Sequence, residues 1–161
     1  MDYTRYTQKV GFIHAALQRL EFRIRVYLET LERGKQITDY EFYNWKAGDL
    51  VQEHWLTNRR YFPELIAAYN AAALPGMGVD PKLGEIRNII IHGRVFQDPK
   101  RDGALRLINF DRGPKGSNKV SVLEFLDVND LYFGDILTRT NRAAATVFSA
   151  TVHMEAKFGA P

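Results

Sequence analysis

Between positions 10 and 31 the apolar residues Val10, Ile13, Leu17, Leu20, Ile24, Leu28 and Leu31 recur every three or four places. That spacing paints one stripe along a helix and predicts a first helix over 6–33, stopped by Gly34. The stripe suits a helical bundle or the seam of a dimer, and its period alone does not choose between them. A second helix is expected over 47–73, interrupted near Pro63, because Leu65, Ile66, Tyr69 and Ala73 keep helical spacing beyond the proline. LPGMGVDP then reads as a loop.

The third helix is marked at both ends. Asp80 suits the N-cap, Pro81 the first helical position and Gly93 the position just past the end, which predicts a helix over 81–92. Gly84 lowers its propensity and points to close packing against another backbone. Beyond Asp98-Pro99 the period shortens. ALRLINF and KVSVLEF are short alternating runs separated by the turn-forming DRGPKGSN, the pattern of a two-stranded hairpin. A last helix is expected with Asp127 as its N-cap and with Leu131, Ile136, Ala143, Val147 and Val152 on one side. The fold class expected is mainly α: a four-helix up-and-down bundle with a small β-hairpin inserted before the last helix, in a single domain over 1–161.

Composition narrows the setting. With 45% hydrophobic residues the 161-residue chain can build a core, so disorder is excluded as the general state. There are no cysteines, which removes disulfides and thiolate metal sites and suits a reducing compartment. MDYTRYTQKV lacks the apolar run of a signal peptide, and no stretch of about 18 apolar residues occurs, so a cytoplasmic protein without membrane contact is expected. The net charge of +3 is small, but its distribution is uneven. From Arg87 to Lys119 eight bases face three acids, a local surplus that could attract a polyanion or simply keep a hairpin solvated.

The chemistry concentrates in R-N-I-I-I-H, positions 87–92. Asn88 and His92 are four apart and share a helix face, and the long Arg87 side chain can swing toward that face across a rotation of about 140°. Imidazole can take a proton from a hydroxyl and return one to a leaving oxygen. A guanidinium can hold a phosphate by paired hydrogen bonds and stabilise charge building on its oxygens. With the ribose 2′-hydroxyl as internal nucleophile, these groups suffice for metal-free RNA cleavage to a 2′,3′-cyclic phosphate. The competing reading is local: His92 caps a helix C-terminus and Arg87 pairs with an acid elsewhere. Arg94, Lys100 and Arg101 follow directly and are the candidate auxiliary phosphate contacts.

Other candidates are weaker. His14, His54 and His153 are scattered without ligand spacing, so no metal site and no cofactor is expected. GPKGSNK lacks the ending and the strand-to-helix context of a phosphate loop. Trp45 and Trp55 could stack on bases but are expected to pack between the first two helices.

The stretch I-R-N-I-I-I-H-G resembles the Arg-x4–6-His signature of the HEPN superfamily, the higher eukaryote and prokaryote nucleotide-binding domains, in which a polar residue, often Asn, follows the arginine. The resemblance implies a helical bundle that dimerises and brings two Arg–His pairs into one cleft. It implies a metal-independent endoribonuclease, a toxin or phage-defence component, acting by 2′-hydroxyl transesterification at the dimer interface. Arg87 would hold the scissile phosphate, His92 would be the acid–base group and Asn88 would orient the site. It also implies RNA, a second copy and a cognate antitoxin or other protein as partners. The alternative within the family is a non-catalytic module binding nucleic acid, a nucleotide or a protein. Outside it stands a structural helical dimer in which His92 is a cap. One subgroup continues His-x-Tyr; here Arg94 takes the tyrosine's place, so control through that tyrosine is not expected.

Overall fold

The computed structural model describes residues 3–37, 44–97, 105–112, 115 and 118–158. Its elements are α1 (Tyr3–Arg33), α2 (Phe62–Ala72), α3 (Lys82–His92), β1 (Arg94–Gln97), β2 (Leu105–Arg112), β3 (Val120–Val128) and α4 (Asp130–Phe158). They fall into two compact units, one of Met1–Leu17 with Lys82–Asn141, the other of Gln18–Pro81 with Arg142–Pro161.

In the first unit the sheet is antiparallel with order β1-β2-β3. Leu105 and Leu107 of β2 are buried while Arg106 and Ile108, which alternate with them, are half-exposed, the pattern of a sheet covered on one face. α3 packs against β2, presenting the buried Leu83, Gly84, Ile89 and Ile90. The start of α1 lies beside the start of α4: Arg5 and Lys9 pair with Asp130, and the Tyr6 ring meets Phe133 at 5.9 Å. Asn129 begins α4, its side-chain oxygen accepting from the Tyr132 N–H at 2.8 Å.

In the second unit α1 is a docking rail for irregular chain. Arg25 donates to the carbonyls of Trp55, Asn58 and Arg60 and is held in place by Glu21 one turn earlier. Glu29, 2% exposed, takes the Trp55 N–H at 2.8 Å on Oε2 and the Arg33 guanidinium on Oε1. These two charged residues satisfy backbone that has no helix or strand to join. α2 follows, and Tyr69 donates to the Met77 carbonyl while its ring meets Tyr27 edge-on at 4.9 Å. Asn70 closes the next loop by exchanging two 2.7 Å hydrogen bonds with the backbone of Val79.

The four-helix up-and-down bundle with a hairpin is therefore corrected. The described residues form four helices and a three-stranded antiparallel sheet, the added strand being β1. Within the first unit α1 and α4 run in the same direction, as Arg5–Asp130 and Tyr6–Phe133 show, whereas an up-and-down bundle opposes its first and last helices. The second unit repeats this: Arg23 donates to the Ala144 carbonyl, and Gln36, just past the end of α1, reaches Glu155. Two helices have 31 and 29 residues and two have only 11, so equal rods are absent. The helix expected over 47–73 is helical only from Phe62 to Ala72, with Pro63 in its first turn. Asp127, expected as a cap, lies on β3 opposite Arg106. On the expected stripes Leu31, Leu131 and Val152 are exposed, and Trp45 is exposed rather than packed between helices.

Two predictions follow from buried groups. Burial, with a smaller contribution from Tyr3, pushes the Tyr6 hydroxyl up to about 12, and burial, with Tyr27 adding to it, pushes Tyr69 up to about 12. Unfolded tyrosines release their protons near 10. Stability is thus full below pH 10 and declines as pH rises from 10 to 12, where the unfolded chain binds fewer protons than the folded one. Denaturant midpoints should agree at pH 8 and 9 and drop at pH 11. Glu29→Ala should cost about 1–3 kcal/mol by leaving the Trp55 N–H and the Arg33 guanidinium without their acceptor. Limited proteolysis should then cut within 44–61 sooner than in the parent chain.

Candidate functional site

α3 runs into β1 through one residue, Gly93. Its N–H donates to the Ile89 carbonyl at 2.8 Å, which closes the helix. A Cβ at this position would run into that same carbonyl oxygen and would stand 3.4 Å from Leu107 Cδ2 of β2. Glycine is needed for want of room, where the sequence suggested only a helix end. The consequence is that His92 is the last residue of the helix and Arg94 the first of the strand.

The three motif residues occupy two levels of exposure. Ile89 and Ile90 anchor the helix at 4% and 5% exposure, while Ile91 is half-buried. Arg87 and Asn88 are half-buried, and Arg87 Nη1 lies 3.4 Å from Asn88 Oδ1, a long and weak hydrogen bond that leaves most of the guanidinium's donors unused. His92 is exposed, and among the described residues its imidazole meets no hydrogen-bond or ion-pair partner. It stands at the helix C-terminus. The arrangement offers a free proton carrier at the end of the helix and an under-used guanidinium about one turn behind it.

Of the auxiliary contacts, Arg94 is exposed on β1 with its guanidinium carbon 5.5 Å from the centre of the Phe110 ring. Lys100 and Arg101 lie outside the described residues. No group of three or more His, Cys, Asp or Glu that could hold a metal ion occurs among the described residues.

One cluster escaped the sequence. His54 has its Nδ1 3.3 Å from Glu29 Oε2, in a cleft of about 580 Å³ also lined by Arg33 and Trp45. The pairing spans 25 positions and involves a segment expected to be helical, so no local pattern could reveal it. Glu29 is already occupied by Arg33 and the Trp55 N–H, which makes the cluster a pin for the loop. Compared with protein-family models, curated proteins and solved structures, the chain matches none of them.

Gly93→Ala should destabilise the chain by about 1–3 kcal/mol, since the added methyl must displace backbone rather than a flexible side chain. Urea unfolding measures it, and an unchanged midpoint would show that the helix-to-strand junction yields without strain.

Proposed function

We propose that this chain is a metal-independent endoribonuclease whose chemistry is carried by Arg87, Asn88 and His92 on α3. The observation that supports the reading most is an exposed imidazole, without a partner among the described residues, at the end of a helix that is otherwise anchored by buried isoleucines. A histidine kept for stability would be expected to have a partner. The reading rests on these side chains and on the Arg-x4-His resemblance, and it takes over nothing of the bundle architecture.

The reaction needs one group to remove the 2′-hydroxyl proton and another to protonate the leaving 5′-oxygen. The 2′-oxygen forms a bond to phosphorus as the bond from phosphorus to the 5′-oxygen breaks, leaving a 2′,3′-cyclic phosphate and a 5′-hydroxyl. Neutral His92 accepts the first proton. A second chain related by a two-fold axis supplies the His92 imidazolium that delivers the other. Arg87 holds the phosphate and takes up the charge that develops on its non-bridging oxygens, and Asn88 steadies the guanidinium. A toxin or phage-defence role, with an antitoxin as partner, follows from the resemblance.

Arg87→Ala and His92→Ala should each lower RNA cleavage by about 100- to 10,000-fold while thermal unfolding and oligomeric state stay as in the parent. Cleavage should persist in EDTA and leave cyclic-phosphate ends. Mixing the two inactive variants should not exceed the activity expected from shared dimers. A parent chain that cuts no RNA at any concentration tested would end the proposal.

A further inference from the structure

The face of the sheet turned away from α3 carries rings and guanidinium groups in place of the usual polar side chains. Strand register puts Phe96 opposite Arg106, and Arg94 and Phe125 on either side of Ile108. Ring contacts confirm a shared face: Phe96 and Phe110 meet edge-on at 6.2 Å. Arg94 lies 5.5 Å from the Phe110 ring centre and Arg106 4.6 Å from that of Phe125. Phe96 and Phe125 remain 44% and 59% exposed. A β-bulge between Asn109 and Phe110 shifts the register beside these rings.

We infer that this face is a stacking platform for unpaired RNA bases. Flat aromatic and guanidinium surfaces on a sheet accept the faces of splayed bases, which duplex RNA keeps stacked inside. Charge favours a polyanion over an apolar partner. From Arg94 to Val128, the length of chain that makes the sheet, seven bases, Arg94, Arg106, Arg112, Lys115 and Lys119 among them, stand against five acids, a surplus of two. Asp127 neutralises Arg106 through a bidentate pair at 2.6 and 2.7 Å, which fixes that guanidinium as a plane over Phe125. The one partner of Arg94 among the described residues is the Phe110 ring, so its charge is available to a phosphate.

The platform deepens the ribonuclease reading and rests on it for the choice of RNA. Arg94 is two residues from His92, so their Cα atoms are within about 7 Å of each other by chain geometry. A strand laid across the rings is held next to the end of α3.

The test uses the full chain carrying His92→Ala, so that binding is read without cleavage. A labelled single-stranded RNA of about 12 nucleotides is titrated by fluorescence anisotropy beside the same sequence as a duplex. Phe96→Leu and Phe125→Leu keep apolar bulk and remove the ring. Each should weaken single-strand binding about 5- to 100-fold, with unchanged thermal unfolding, and the duplex should bind more weakly than the single strand. Leucine variants that bind like their parent would overturn the platform, as would equal affinity for the duplex. A change of oligomeric state with RNA affinity intact would overturn it too and assign the face to a second copy. Cleavage by the unmutated site is measured separately. Ring-dependent binding by a chain that never cuts RNA leaves the platform standing and removes the ribonuclease, and cutting without ring dependence does the reverse.

Discussion

A helix and a strand that share a single residue between them have little freedom in how they meet. Gly93 imposes that condition, because the Ile89 carbonyl oxygen lies in the space a Cβ would need. α3 is held to β2 by Leu83, Ile89 and Ile90, and the chain leaves it directly into β1. His92 and Arg94 consequently inherit fixed positions from packing done by their neighbours. Neither has to be ordered by contacts of its own, so the imidazole and the guanidinium can stay available.

The parts of this fold that were legible in the chain are those whose causes are local. α1 is written as a stripe, and five of its members, Ile13, Leu17, Leu20, Ile24 and Leu28, are at most 4% exposed. α3, β2 and β3 carry their own end signals or alternation. What was not legible depends on partners far away in sequence. β1 has four residues, Arg-Val-Phe-Gln, too few to show a period, and it is a strand because β2 supplies the hydrogen bonds. The segment 47–61 is where the second helix is expected to begin. It stays irregular because Arg25 and Glu29 of α1 satisfy its backbone instead. A helical period in a short window cannot register such a competitor.

The same division separates the two parts of the candidate site. Arg87, Asn88 and His92 are within six positions on one helix, so spacing and residue chemistry were enough to single them out. The ring face is assembled from Phe96, Phe110 and Phe125 on three strands, and it exists only once register is known. Sequence alone gave Arg94 a place among phosphate contacts. Its position over Phe110 gives it a neighbour that sequence could not supply.

The Arg106–Asp127 pair is the most informative detail on that face. Both side chains are well exposed, 38% and 54%, and ion pairs so placed contribute about 1 kcal/mol or less to stability. Its bidentate form matters for direction more than for energy. A lone arginine on a strand samples many rotamers, and a ring beneath it is covered only part of the time. Two hydrogen bonds to Asp127 hold the guanidinium, with its carbon 4.6 Å from the Phe125 centre. A flexible cation becomes a flat, fixed surface whose charge is already balanced. Beside it Arg94 keeps its charge, so one arginine presents a plane and the other presents a field.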